Sequence, residues 1–315
     1  MKYYIAIDGG TTNTRVSLVG DGEVLDTVRE AFGARAGMDG TEPLKNAIRA
    51  AIATLLSKHS LKEWDVLRIL ASGMITSEFG LCNLPHVQAP AGIAELHAAM
   101  HETRIEEISP IPFVFLRGVR YDGEDLLDAD MMRGEETELM GLLTDFPTSS
   151  LYVLPGSHSK LVEVDEDGRI VAFATMLTGE MIASLSAHTI LRDAVDLKTE
   201  GYDPEALLMG YNCAKRAGLN EALFKVRILK NRFAYPGQKT YSFFLGAILS
   251  AEIDAIRKNK MPSAVIAGRA QIKEATVALL EELSDKTTVT VPDALADTAS
   301  ARGMVRIYEY KGASK

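Results

Sequence analysis

Short apolar runs broken by polar turns dominate this chain, and two of them follow one plan. Tyr3-Tyr4-Ile5-Ala6-Ile7 reads as a buried strand that stops at Asp8-Gly9-Gly10-Thr11-Thr12-Asn13-Thr14, resumes as Arg15-Val16-Ser17-Leu18-Val19 and turns at Asp21-Gly22 into Val24-Leu25. Leu151-Tyr152-Val153-Leu154 stops at Gly156-Ser157-His158-Ser159-Lys160, resumes as Leu161-Val162-Glu163-Val164 and turns at Asp167-Gly168 into Ile170-Val171. The interval from Gly10 to Gly22 equals that from Gly156 to Gly168, since 22 − 10 and 168 − 156 are both 12. A strand, glycine-hydroxyl turn, strand unit written twice at one spacing predicts two related half-domains, each presenting a polar turn to a shared cleft.

The remaining pattern alternates helix and strand, as in α/β folds. After a Gly-rich bend at 33–40, Thr41 and Pro43 signal a helix whose apolar residues Leu44, Ile48, Ile52 and Leu55 recur at helical intervals. Arg68-Ile69-Leu70-Ala71 is a strand running into Ser72-Gly73-Met74-Ile75-Thr76-Ser77. Residues 83–92 read as loop, Phe113-Val114-Phe115-Leu116 as strand and 122–130 as an acidic loop. A helix starting around Arg133 carries Leu139, Leu142 and Leu143. Helical stretches fill about 180–258, then Ala264-Val265-Ile266-Ala267 forms a strand ending at Gly268-Arg269. Ile272, Ala275, Leu279, Leu280 and Leu283 mark an amphipathic helix, and Thr288-Val289-Thr290-Val291 the last strand. The expected organisation is an N-terminal lobe over 1–132, a C-terminal lobe over 133–293, and a helix within 294–315 packing back across both.

A length of 315 residues suits roughly two domains. Net charge −9 argues against broad nucleic-acid or anionic-membrane binding, which rest on basic surface, so any anionic ligand must be met locally. Cys82 and Cys213 are too few for a disulfide framework and lack metal-ligand spacing. No apolar run has membrane-spanning length, and Met1-Lys2-Tyr3-Tyr4-Ile5 leads straight into a strand, so a cytoplasmic protein is expected.

The chemistry sits in the turns. Glycine lets backbone N–H groups approach an anion, and serine or threonine hydroxyls add uncharged donors. Two such turns, Gly10-Thr11-Thr12-Asn13 and Gly156-Ser157-His158, suit a triphosphate. Asp8, closing a buried strand, can hold Mg²⁺, the plain alternative being a carboxylate that caps the turn. Gly268, between a buried strand and a helix, lets a flat ring lie against backbone and reads as the adenine platform. Its alternative is a simple strand-to-helix turn. Residues Gly73, Met74 and Ser77 lie at a strand's carboxyl end, where open α/β sheets bind ligands.

These features resemble the actin, sugar kinase and heat-shock chaperone ATPase superfamily: two ribonuclease-H-like lobes around a central nucleotide cleft. More specifically, Met132-Arg133-Gly134-Glu135-Glu136-Thr137, Leu151 to Lys160 with its Pro155-Gly156-Ser157-His158, and Met176-Leu177-Thr178-Gly179-Glu180 resemble the 2-dehydro-3-deoxygalactonokinase family over nearly the whole chain. The resemblance implies transfer of the ATP γ-phosphoryl group, with Mg²⁺, to the terminal hydroxyl of 2-dehydro-3-deoxy-D-galactonate, with ATP and a sugar acid as the small-molecule partners and a homodimer as one expected state. Related carbohydrate kinases place a catalytic aspartate in a Gly-Asp-Gln turn that opens the helix before the second phosphate hairpin. That place here holds Gly134-Glu135-Glu136, making Glu135 the first choice for general base and Glu136 the alternate. Either glutamate could instead merely favour the positive end of the helix. Arg133 is placed to bind the substrate carboxylate bidentately, or to pair with Glu136 or Asp130. His158 is read as a phosphate donor or a structurally satisfied histidine, Lys160 as solvent-facing, and Thr178-Gly179-Glu180 as a strand end without an assigned role. The rival readings are a kinase for 2-dehydro-3-deoxygluconate or a polyol, and a non-metabolic ATPase.

Overall fold

The structure, a computed structural model, describes residues 1–11, 13–31, 33, 41–268 and 270–312. Thr12, Arg269 and most of the expected bend at 33–40 lie outside the described residues. The chain forms two compact units, the first comprising Met1–Thr148, Val164–Phe173 and Ala294–Lys315, the second Ser149–Glu163 and Ala174–Asp293.

In chain order the first unit contains β1 (Tyr3–Gly9), β2 (Thr14–Gly20), β3 (Glu23–Glu30), α1 (Glu42–Lys58), β4 (Val66–Gly73), β5 (Val87–Gln88), α2 (Ile93–Ala98), β6 (His101–Ile105), β7 (Ser109–Phe115), β8 (Val119–Tyr121), β9 (Asp130–Met132) and α3 (Glu135–Leu142). Then follow β10 (Ser150–Leu154), β11 (Ser159–Val164), β12 (Ile170–Met176), α4 (Thr178–His188), α5 (Pro204–Ala217), α6 (Leu219–Phe233), α7 (Gly237–Lys258), β13 (Ser263–Ile266), α8 (Ala270–Leu283), β14 (Thr287–Thr290) and α9 (Asp293–Tyr308).

The duplication read from the sequence is present in the topology. One sheet has strand order β3-β2-β1-β4-β7-β6, and the other β12-β11-β10-β13-β14. In each, the strand leading into the polar turn lies between its hairpin partner and a later parallel strand. β4 runs parallel to β1, and β7 to β4. Likewise β13 runs parallel to β10, and β14 to β13. Parallel central strands need apolar cover, and their continuous apolar runs supply it.

On the first sheet α1 lays Leu44, Ile48, Ala51, Ile52 and Leu55 into a cluster with Ile5, Ile7, Val16, Leu18, Ile69 and Phe113. Each leucine, isoleucine, valine or phenylalanine side chain there contributes about 1.5–3 kcal/mol by leaving water. The second unit's core joins Val153 and Ile266 to Phe244, Leu245, Leu249 and Ile253 of α7 and to Leu279 and Leu280 of α8.

A boundary between residues 132 and 133 was expected, whereas the first unit continues to Thr148. Packing of α3 on α9 accounts for this. A side chain on Gly141 would overlap the Ala299 carbonyl oxygen, and one on Gly303 would overlap that of Thr137, so the two backbones touch. Thr137 Oγ1 and Ser300 Oγ lie 3.1 Å apart, and Arg306 Nη1 donates to Met140 O at 2.6 Å. The expected loop at 83–92 contains the two-residue strand β5. Among the described residues no helix is long and apolar enough to cross a membrane.

Candidate active site

Three glycines assemble the first unit's site. In the parallel register of β1 and β4, Asp8 stands beside Ser72 and Gly9 beside Gly73. Gly73 has φ +85°, and a Cβ there would overlap the Gly9 carbonyl oxygen. Gly134, with φ +114°, approaches so closely that its Cβ would lie 3.2 Å from the Gly73 Cα. Positive φ and absent side chains at these positions require glycine. The first turn of α3 therefore sits directly on the carboxyl ends of β1 and β4. The turn after β1 is tight, with Gly10 N donating to Asn13 O at 2.8 Å, and Thr11 and Asn13 are exposed. Thr12, assigned to the same turn from sequence, lies outside the described residues.

Carboxylates cluster here. Asp8 Oδ2 lies 3.4 Å from Arg15 Nε, with 23% of the Asp8 side chain open to solvent. Burial pushes the Asp8 carboxyl up and the Arg15 charge opposes it. Glu136 is fully buried, accepting from Gly134 N at 2.7 Å and from Ser72 Oγ at 3.0 Å. Burial, then the charge of Glu135, pushes it up to about 8. Glu135 is half-buried and accepts from Arg133 N at 3.0 Å.

Glu138, passed over in the sequence reading, is half-buried and electrostatically coupled to Asp8, Glu135 and Arg15. Burial, then Asp8, pushes it up to about 7. Its signal in the sequence was the i, i+3 spacing from Glu135, which puts both on one helix face. Carboxylate oxygens such as those of Asp8 and Glu138 are of the hard kind that suits Mg²⁺, which takes one or two carboxylates and fills its other positions with water and substrate phosphate.

The Arg133 guanidinium is engaged within the first unit. Nη1 donates to Thr76 O at 2.6 Å and Thr76 Oγ1 at 2.7 Å, and Nη2 reaches Leu84 O at 3.1 Å and His86 Nδ1 at 3.4 Å. Burial and the Arg133 and Arg120 charges hold His86 down to about 4, so it stays neutral at physiological pH. Around Gly73, Met74 and Ser77 the hydroxyls serve the turn itself: Thr76 Oγ1 donates to Gly73 O at 3.0 Å and Ser77 Oγ to Met74 O at 2.7 Å.

The second unit has its own glycine cluster. Gly156 and Ser157 are exposed, and His158 Nε2 lies 3.2 Å from Glu180 Oε2. Thr178-Gly179-Glu180 opens α4 and is not a strand end. A side chain on Gly179 would overlap the Gly156 carbonyl oxygen, and Glu180 N donates to Ser157 O at 3.0 Å, so the helix start is stapled to the turn. Gly268, φ +84°, packs on the other side, a Cβ there lying 3.0 Å from Pro155 Cδ. Lys160, expected to face solvent, is 5% exposed and donates to Thr175 Oγ1 at 2.6 Å, because β11 is covered on both faces. A surface cavity of about 540 Å³, lined by residues such as Arg257, Lys258, Ser284 and Lys286, lies at the C-terminal ends of α7 and α8, away from these strand ends.

The sequence model of the 2-keto-3-deoxy-galactonokinase family matches residues 8–307, from the metal-candidate aspartate into the last turn of α9. The chain belongs to that family. It is 32% identical over 197 residues to the "Probable 2-dehydro-3-deoxygalactonokinase" of Rhizobium meliloti (strain 1021), covering 61% of this chain and 59%, less than two thirds, of that relative. Identity to the 2-dehydro-3-deoxygalactonokinase of Escherichia coli (strain K12) is 28% over 261 residues, 81% of this chain and 80% of the relative. A solved "putative 2-dehydro-3-deoxygalactonokinase protein" from Sinorhizobium meliloti superposes with a TM-score of 0.76 at 23% identity, over 97% of this chain and 98% of that one. The fold is that of sugar kinases.

Proposed function

We propose that the protein transfers the γ-phosphoryl group of ATP to the C6 hydroxyl of 2-dehydro-3-deoxy-D-galactonate, giving the 6-phosphate and ADP in galactonate catabolism. The observation that carries this reading is the meeting of Asp8, Glu135 and Glu138 where α3 docks on the ends of β1 and β4, in a member of this kinase family. Phosphoryl transfer to an alcohol needs phosphate donors, charge neutralisation and a carboxylate to orient the hydroxyl and take its proton. Asp8, with Glu138, would hold a Mg²⁺ ion, which would supply the charge neutralisation when bound.

Glu135 is the general base. Glu136 is fully buried, has both oxygens engaged and keeps its proton at neutral pH, which suits it to holding α3 on β4. Gly10, Thr11, Thr12 and Asn13, with Gly156, Ser157 and His158, donate to the phosphates, and Gly268 is the adenine platform. Arg133 stands beside the base and braces the segment Thr76–Leu84, so Gly73, Met74, Ser77 and the arginine together shape the sugar-acid end. The free cysteines Cys82 and Cys213 accord with a cytoplasmic enzyme.

A coupled ADP-release assay over 2-dehydro-3-deoxygalactonate, its gluconate epimer and a polyol tests the reading. The galactonate derivative should give the highest kcat/KM. ATP hydrolysis that ignores the acceptor would replace the kinase with an ATPase.

A further inference from the structure

Glu252 on α7 is 1% exposed, a costly place for a carboxyl. Its Oε2 accepts the Thr178 hydroxyl at 2.5 Å. Among the described residues its Oε1 is buried without a hydrogen-bond partner, and so is Ser159 Oγ. The Ser159 hydroxyl is close enough to the Glu252 carboxyl to favour its charged form, although burial outweighs it and pushes the group up. Buried polar atoms without partners are rare in folded proteins and call for an explanation.

Both contacts fall on the second glycine-hydroxyl turn. Ser159 is the first residue of β11, directly after Gly156-Ser157-His158, and Thr178 is the first residue of α4, whose Gly179 and Glu180 pack on and bond to that turn. We propose that Glu252 is the positioning residue of this turn, its carboxyl tying Ser159 to Thr178 and so fixing the direction of the Gly156, Ser157 and His158 N–H groups. In this reading the Ser159 hydroxyl donates to the carboxyl oxygen that Thr178 leaves free, which completes the tie. The inference rests on the reading of this turn as a phosphate site under the proposed function.

Two readouts separate that reading from the inference. Hydrogen exchange in the ligand-free protein reports the turn directly: Glu252→Ala should speed exchange of the amides at 156–160 and in the first turn of α4, and Glu252→Gln, whose amide can accept from Thr178 and donate to Ser159, should restore protection. Calorimetric ADP binding should weaken about tenfold in Glu252→Ala and stay within about twofold of wild type in Glu252→Gln, while KM for the sugar acid moves less than about twofold in both.

If Glu252→Ala fails to fold, Ser159→Ala and Thr178→Val carry the same expectations. Unchanged exchange at 156–160 in folded variants overturns the positioning role. So does an equal rise in KM for both substrates, which would mark a general loss of structure. Altered exchange in a protein whose wild type binds no ADP would leave Glu252 as the brace of this turn and remove the nucleotide from it.

Discussion

Ser72 donates its hydroxyl to Glu136 Oε1 at 3.0 Å, and both residues are fully buried. This bond ties the end of β4 to the start of α3, beside the glycine contact of Gly73 with Gly134. It also places an ionisable group where ionisation is costly.

That cost predicts a pH-dependent stability. The folded-state pKa of Glu136, about 8, lies above its ordinary 4.5, so the folded protein holds the proton more tightly than the unfolded chain. The resulting stability is fully present below about pH 4.5 and is lost as pH rises through about 8. Glu138, raised to about 7, acts in the same direction. The thermal midpoint of the wild type should fall between pH 5 and 9, and Glu136→Gln should flatten much of that slope, a difference of a few kcal/mol at most. A slope unchanged in Glu136→Gln would show that Glu136 ionises freely in the fold.

The same assignment separates the two adjacent glutamates in catalysis. Glu135→Gln should lower kcat on the order of 10²-fold or more with modest change in KM, because an amide cannot take the hydroxyl proton. Glu136→Gln should keep most of its kcat, since its amide oxygen can accept from Gly134 N while its NH₂ donates to the Ser72 hydroxyl, which can turn to accept. The reverse outcome moves the base by one residue, and two active variants move it out of this motif.

Asp8→Asn should abolish most turnover, by roughly 10²-fold or more, and leave the thermal midpoint unchanged or higher. It removes from the site a charge that burial already disfavours. Steady-state rates across a Mg²⁺ titration check this. A wild-type kcat at limiting Mg²⁺ would take Asp8 out of the metal site.

Much of this was legible in the sequence because it lay in strong local patterns. The helical spacing of Leu44, Ile48, Ile52 and Leu55 gave α1, and the equal glycine intervals gave the repeated topology. β6, His-Glu-Thr-Arg-Ile, was illegible because it is largely exposed and pairs only at the sheet edge, so it lacks an apolar run. Lys160 was misjudged because burial of β11 on both faces depends on distant chain. Glu138 was missed because its link to Asp8 exists only once α3 docks on β1 and β4. The partners of Arg133, Thr76 and Leu84, stand 57 and 49 residues away, beyond any local motif.

Those partners make Arg133→Ala the variant with two separable effects. Losing the guanidinium strips Thr76 and Leu84 of charge-assisted donors, each worth about 1.5–3 kcal/mol, and should lower the thermal midpoint by several degrees. The segment Thr76–Leu84 follows the Gly73 turn, so KM for the sugar acid should also rise, by roughly tenfold or more, whether the arginine touches the carboxylate or only shapes its site. The nucleotide KM should barely move. Arg133→Lys distinguishes the two routes: a single ammonium cannot span Thr76, Leu84 and His86 together, so a lysine that recovers sugar-acid KM without recovering the thermal midpoint marks direct recognition of the carboxylate. A lysine that recovers neither marks a brace, and an alanine variant with a normal sugar-acid KM removes Arg133 from substrate binding altogether.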